Sequence, residues 1–373
     1  MAVHKFAFPT TIHFGPGARK LVAAHLKEAG CKRPLVVTDK GLATLPVLAE
    51  FLSTLQGLQA SAYSGVHGNP VASLVRAGVD AYRAHGADSV IGFGGGAALD
   101  VAKVVALMAV HPGDVLEYAW DHPQVRPIEK SLPHFVALPT TAGTGSEVGR
   151  SSVISEDATH VKRIVFSAQL LAKAVFADPE LTLGLPANIT AATGMDALTH
   201  NIESYLSHAY HPLCDGIALE GVRIAARALP VAVKQPGNLQ ARSDMLMASM
   251  MGAIAFQKDL GAVHSCAHAL STVAGLHHGL ANGVMIDHVM RFNREAAEAK
   301  MAELARVAGV ADLVAWLTEL KAELGIPAKL GALGVKKEHL PRLVKVAFAD
   351  ICHQTNPRSC TKRDFETLFA DAL

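Results

Sequence analysis

Ile91-Gly92-Phe93-Gly94-Gly95-Gly96-Ala97-Ala98-Leu99-Asp100-Val101-Ala102-Lys103 is the stretch on which the fold turns. It leaves a β-rich run, Ser89 to Phe93, crosses three adjacent glycines and enters a helical pattern, Leu99 to Val110. Glycine lacks the Cβ that would keep a ligand away from the backbone. The helix that follows turns its unpaired N–H groups and the positive end of its dipole toward the same spot. A pyrophosphate is the natural occupant. The strand-before, helix-after context favours it over a glycine turn with no ligand. The spacing is not GxGxxG, so the ordinary dinucleotide fingerprint is not met.

Other short β-rich runs occur at 34–38 and 135–138, with a further helical pattern at 73–84. Alternation of apolar strands with helices implies a parallel sheet covered on both faces. From about Pro186 the strand signals fade, and apolar residues three and four apart dominate at 191–206, 241–256 and 295–320. The expectation is an α/β N-terminal domain over 1–185 and an all-helical domain over 186–373, with the boundary near Gly184-Leu185-Pro186.

The 373 residues are 50% hydrophobic and 18% charged, enough apolar material for substantial cores and too much for a disordered chain. With 34 basic and 33 acidic residues, no basic stripe points to nucleic acid and no lysine-arginine block points to a membrane surface. The most apolar stretch, Val90 to Val110, is interrupted by glycines, Asp100 and Lys103, so it does not read as a membrane span. The five cysteines, Cys31, Cys214, Cys266, Cys352 and Cys360, are widely spaced without a CxxC. That argues against a disulfide framework or a thiolate zinc cluster and for a reducing compartment. No charged segment leads into a long apolar run between Met1 and Thr11, so a cytoplasmic location is expected.

Asp39 ends the first clear strand. An acidic side chain there can accept hydrogen bonds from a ribose diol and would repel a 2′-phosphate, which favours NAD over NADP. A helix cap or turn aspartate reads equally well. A second loop, Pro139-Thr140-Thr141-Ala142-Gly143-Thr144-Gly145-Ser146-Glu147, also follows a strand and is dense in hydroxyls and small residues.

Nineteen histidines make a metal site worth seeking. Asp196 and His200 are i and i+4 on one helical pattern, one turn apart on the same face. His264 and His268 repeat that spacing, and His277 and His278 follow near a helix end. A single histidine is more often a core or surface residue than a ligand. Several titratable groups in otherwise apolar helices weaken that alternative, because burying them is unfavourable without a partner. One carboxylate and three imidazoles make a first shell for a divalent iron or zinc ion, with a position left for substrate oxygen.

Six segments together resemble the iron-containing, or group III, alcohol dehydrogenases: GGGAALDVAK at 94–103, PTTAGTGSEV at 139–148, DPELTLGLP at 178–186, GMDALTHNIE at 194–203, LGAVHSCAHAL at 260–270 and HHG at 277–279. They run in the family order and cover nearly the whole chain. The resemblance implies a homodimeric, dehydroquinate synthase-like two-domain enzyme. The cofactor would lie in the N-terminal domain, one metal ion (iron(II) ahead of zinc) in the helical domain, and the chemistry in the cleft between them. Position by position it implies Asp196, His200, His264 and His278 as metal ligands, and His268 as a catalytic residue beside the nicotinamide. His277 stands where the family often has proline and stays outside the first shell. Implied cofactor contacts are Asp39, Asn69, Gly95, Gly96, Thr140, Thr141, Thr144, Lys162 and Leu181, with Ser146 and Gly149 behind them. Ala97 departs from the serine frequent in the family, which removes a hydroxyl contact to phosphate.

Ala255-Phe256-Gln257-Lys258 and Cys352-His353-Gln354-Thr355-Asn356-Pro357 look like the 4-hydroxybutyrate dehydrogenase branch. That resemblance implies a small alcohol and its aldehyde as substrate pair, a short ω-hydroxy acid among them. A substrate carboxylate calls for a cation: Lys258, Arg150 or Arg358, each of which reads equally as a surface charge. Cys352 and His353 belong to the same substrate-side group. The alternatives on the same plan are a maleylacetate reductase-like enzyme and a dehydroquinate synthase-like lyase. For the lyase a multi-basic pocket is expected, and the sequence does not show one.

Overall fold

The computed structural model describes Phe8 and residues 10–373. Contacts divide these into two compact units, one of 8, 10–141 and 145–182, the other of 142–144 and 183–373.

The first unit is built on a six-stranded sheet. Its strands are β1 (Thr11–Phe14), β2 (Pro34–Asp39), β3 (Ser61–Val66), β4 (Ser89–Gly94), β5 (His134–Pro139) and, after two strands outside the sheet, β8 (Ala174–Ala177). The order is β1-β8-β5-β4-β2-β3, with every pair parallel. β4 and β8 are buried along their whole length, as are five of the six residues of β2 and β5, which is why they read as unbroken apolar runs rather than alternating ones. Crossovers are made by α1 (Val22–Glu28), α2 (Pro46–Thr54), α3 (Ala72–His85) and α4 (Gly96–Val110). Phe51 of α2 stacks on Phe93 of β4 with ring centroids 4.7 Å apart, fixing that helix to the sheet. β6 (Ser151–Ser155) and β7 (Lys162–Phe166) form a separate antiparallel hairpin.

The second unit is helical: α5 (Ala187–Leu206), α6 (Pro212–Lys234), α7 (Leu239–Ala255), α8 (Ala262–Ala274), α9 (His278–Asn293), α10 (Glu298–Ala308), α11 (Leu313–Glu323), α12 (Leu340–Ala349) and α13 (Lys362–Ala372). α5 is the central element, buried almost all round from Thr190 to Leu206 and packed against α6, α7 and α9. The periodic run expected at 295–320 is two helices. Gly309 ends α10 at φ 76°, and the Asp312 carboxylate accepts from the Ala315 N–H to start α11. No helix among the described residues is long and apolar enough to cross a membrane.

Candidate active site

In the sheet unit the strand register brings the phosphate-loop residues together. Gly94 and Pro139 are paired at the ends of β4 and β5, and the Thr140 N–H donates to the Gly94 carbonyl at 3.0 Å. Gly94 has φ 153°, and a Cβ there would lie 2.7 Å from the Ala98 Cβ and 3.4 Å from Asp39 Oδ2, so only glycine fits. A Cβ on Gly95 would lie 3.2 Å from the Thr141 side chain. Asp39, Gly94, Gly95, Gly96, Thr140 and Thr141 therefore share the carboxyl ends of β2, β4 and β5. The strand order reverses there, which is the usual ligand position in an open parallel sheet. A register shift between Val37 and Asp39 re-aims the aspartate. Asp39 also accepts from the Leu42 N–H at 2.9 Å, so it caps its own loop as well.

Among the remaining cofactor candidates, Asn69 and Lys162 come near one another through Ser155, whose N–H donates to the Pro70 carbonyl at 2.8 Å and which pairs with Lys162 across the hairpin. Asn69 is exposed after β3, and Lys162 opens β7. The Leu181 side chain packs into the sheet core, and its N–H donates to the Asp178 carbonyl at 3.0 Å. Thr144 groups with the helical unit, where neighbouring Gly143 lies against Thr193. Ser146 belongs to a buried network: Lys103 Nζ donates to Ser146 Oγ at 2.8 Å, and Ser146 Oγ donates to Asp100 Oδ1 at 2.6 Å. Gly149 faces the same lysine, its Cβ position 3.8 Å from Lys103 Nζ.

In the helical unit, α5, α8 and α9 aim four side chains at one point. The Nε2 atoms of His278, His264 and His200 lie 3.5, 3.7 and 3.9 Å from a single atom, Asp196 Oδ1. These separations exceed hydrogen bonds. They approach the spacing of about 3.4 Å between ligand atoms around a tetrahedral ion with bonds of about 2.0–2.2 Å. Gly279 makes the approach possible, since a Cβ there would sit 2.3 Å from the Ala192 carbonyl oxygen of α5. Asp196, His200 and His264 are buried, whereas the His278 side chain is 21% exposed and marks the accessible side.

The electrostatics ask for a cation. Burial alone would raise the Asp196 carboxyl, but the imidazoles of His200, His278 and His264 hold it far below the usual carboxylate range. Burial pushes His200 down to about 4 despite Asp196. Burial also opposes the His264 imidazolium, yet the nearby Asp196 carboxylate and the Glu203 carboxylate, which accepts from Nδ1, hold it up at about 9. Asp196 Oδ1, buried and faced by three imidazole Nε2 atoms, is an arrangement whose charge a proton or a metal ion can balance.

Three residues at this site were not singled out from sequence. Glu203 Oε2 accepts from His264 Nδ1 at 2.6 Å, fixing Nε2 toward Asp196. Asn282 Nδ2 donates to Asp196 Oδ1 at 2.7 Å and lies 3.3 Å from the Nε2 atoms of His264 and His278. Asp350 Oδ2 accepts from His268 Nδ1 at 2.7 Å. Asn282, at i+4 from His278, carried a readable signal, whereas Asp350 is 82 residues from its partner. His268 stacks on His278 with centroids 5.1 Å apart but turns its Nδ1 to Asp350. His277 caps α9, its Nδ1 facing the Leu280 N–H at 3.4 Å.

Lys258 is buried, paired with Asp215 and donates to the Tyr205 carbonyl at 3.0 Å, so its ammonium is engaged within the helical unit. Arg358 lies over the Phe292 ring at 4.0 Å, and Arg150, in the sheet unit, over Phe166 at 5.3 Å. His353 packs between Phe348 and Phe365 with its Nε2 3.1 Å from the Phe348 carbonyl. Cys352 lies beside His268 and Asp350.

Residues 9–179 match the model of iron-containing alcohol dehydrogenases, and residues 190–373 match that of the Fe-containing alcohol dehydrogenase family, C-terminal part. The chain belongs to the iron-containing alcohol dehydrogenase family. It is an oxidoreductase of alcohols, as the resemblance implied. It is 38% identical to 4-hydroxybutyrate dehydrogenase of Cupriavidus necator, over 98% of each chain. A solved 1,3-propanediol oxidoreductase is 35% identical and covers all of both chains with a TM-score of 0.94. Sulfoacetaldehyde reductase from Bifidobacterium kashiwanohense, solved with NAD+, is 29% identical, with a TM-score of 0.90 over 100% of this chain and 99% of that one.

Proposed function

We propose that this family member is a cytoplasmic, NAD-linked, homodimeric dehydrogenase of short primary alcohols, with ω-hydroxy acids such as 4-hydroxybutyrate the first class to test. Iron(II) is the preferred ion and zinc the second. The observation that carries this reading is the convergence of three imidazole Nε2 atoms on Asp196 Oδ1, 3.5–3.9 Å away. The donor set, one carboxylate and three imidazoles, suits either ion. The substrate class rests on the similarity to the Cupriavidus necator enzyme and on the local text around 255–258 and 352–357.

In this reading residues 1–185 bind the dinucleotide and 186–373 carry the ion, held by Asp196, His200, His264 and His278. When bound, the ion supplies Lewis-acid polarisation of the substrate oxygen, and the nicotinamide supplies the hydride chemistry. Glu203 fixes the His264 ring and Asn282 holds the Asp196 oxygen, so both ligands are set before substrate arrives. Gly94 and Gly95, with no side chains, and Gly96, which opens α4, would receive the pyrophosphate at the helix start. Asp39 takes the ribose hydroxyls, which favours NAD; a dinucleotide complex of a similar fold carries NAD+. Asn69, Thr140, Thr141, Thr144, Lys162 and Leu181 complete the cofactor contacts. His268 donates from Nδ1 to Asp350, so Nε2 carries the lone pair that accepts the alcohol proton directly or through one water.

The test is a substrate panel with iron- and zinc-reconstituted protein, followed by the absorbance of reduced nicotinamide. The panel holds 4-hydroxybutyrate, 1,3-propanediol, 1,2-propanediol, ethanol and longer alcohols. The reading requires NAD-dependent oxidation of a short primary alcohol that vanishes without divalent ion. Turnover that survives complete ion removal contradicts it.

A further inference from the structure

We propose that His268, Asp350 and Cys352 form a second, inhibitory site for a soft divalent cation such as zinc or cadmium, separate from the four-residue cage around Asp196. One ligand atom from each lies within 4.8 Å of those of the other two. His268 sits on α8, Asp350 directly follows α12, and Cys352 begins the short helical turn after it.

The carboxylate is already held in a ligand's pose. Asp350 Oδ1 accepts from Ser265 Oγ at 2.8 Å and from the Cys352 N–H at 2.9 Å. Ser265 Oγ in turn accepts from the His353 N–H at 3.0 Å. Those bonds leave Oδ2 directed at His268 Nδ1, 2.7 Å away. Orienting contacts of this kind are what metal ligands need behind them.

Imidazole, carboxylate and thiol together are a zinc-type donor set, softer than the all-oxygen-and-nitrogen cage around Asp196. Cys31, Cys214, Cys266 and Cys360 are buried, whereas Cys352 is half-buried and its partners His268 and Asp350 have side chains 17% and 16% exposed. Cys352 is thus the least enclosed of the five cysteines. Charge balances on binding. The thiol proton leaves to solvent, the imidazole proton moves from Nδ1 to Nε2, and the dication meets one thiolate, one carboxylate and one neutral imidazole. The assembly is neutral, which a partly buried position favours.

Inhibition follows from that tautomer change, and this part rests on the proposed role of His268. With a cation on Nδ1, Nε2 holds a hydrogen and no longer accepts the alcohol proton. The rate constant for oxidation falls while the substrate KM stays near its original value.

The experiment titrates the ion-loaded enzyme with cadmium, following thiolate-to-cadmium ultraviolet absorption, resident-ion content and turnover together. The site predicts one added cadmium per chain, new absorption, full retention of the resident ion and parallel loss of turnover. Cys352→Ser abolishes the absorption and raises the inhibitory cadmium concentration about tenfold or more. Asp350→Asn weakens uptake to a similar degree, which covers any folding defect in the cysteine variant. Cadmium that enters only by displacing the resident ion, or absorption undiminished in Cys352→Ser, overturns the site. Uptake at Cys352 with turnover intact overturns the inhibition and the proton-accepting role of Nε2, while the metal site itself stands.

Discussion

Glu203 Oε2 and His264 Nδ1 are 2.6 Å apart, with both side chains 1% exposed. The same carboxylate accepts from the backbone N–H of Val263 at 2.7 Å and of His264 at 3.3 Å. One α5 residue thus caps the start of α8, whose own first turn has only Gly261 before it, and orients a ring at the metal cage. Glu203→Gln should therefore weaken ion affinity about 10- to 100-fold. It should also lower stability by about 1–3 kcal/mol through the weakened buried bonds. Chelator competition reads the first effect and denaturant unfolding of the ion-free protein the second.

The i, i+4 pair His264 and His268 should divide by role. His268→Ala is expected to lower turnover about 10²- to 10⁴-fold, the range of a lost general base, with ion content unchanged. His264→Ala should lose the ion itself. Metal analysis and turnover on the same preparations separate the two, and loss of ion from His268→Ala would remove the distinction.

Gly279 sits where α9 meets α5, its absent Cβ leaving room for the Ala192 carbonyl 2.3 Å away. Gly279→Ala should push α9 outward and move His278 from Asp196. The expected result is reduced ion content together with an overpacking penalty of about 1–3 kcal/mol. A melting curve and an ion assay check both, and an alanine variant with normal ion content would show that α9 can shift without moving His278.

Glu147 gives a pH signature in the sheet unit. It is 1% exposed, and burial pushes its carboxyl from 4.5 up to about 7 against its own backbone hydrogen bond and the Lys103 ammonium. The folded state therefore holds a proton that the unfolded chain releases between those values. Its contribution is full below 4.5 and is lost as pH rises through about 7. Glu147→Gln removes this titration. The stability of the variant relative to the parent should rise with pH across that window, by about 3 kcal/mol at most. Denaturant midpoints at about pH 5 and about pH 8 measure it. A flat difference would mean the carboxyl titrates normally.

The strand–glycine–helix order around Gly94 was legible because three glycines before an apolar helix leave few alternatives, and the sheet places Asp39 and Thr140 beside them as the strand ends require. The i, i+4 spacings of Asp196 with His200 and of His264 with His268 were equally plain, but spacing cannot tell a ring aimed at Asp196 from one turned to Asp350. That difference comes from Asp350, just after α12 and far along the chain. Glu203 and Asp350 were invisible for the same reason: they act through tertiary hydrogen bonds that no local pattern encodes. Lys258 shows the converse. Its charge looked open to a substrate carboxylate until folding laid it against Asp215 and the Tyr205 carbonyl.

Anomalous scattering at the iron edge, from crystals of the iron-loaded protein, tests the central claim most directly. The account predicts one peak among Asp196 Oδ1 and the Nε2 atoms of His200, His264 and His278, about 2.0–2.2 Å from each. A peak elsewhere, or none at full iron occupancy in solution, would contradict it.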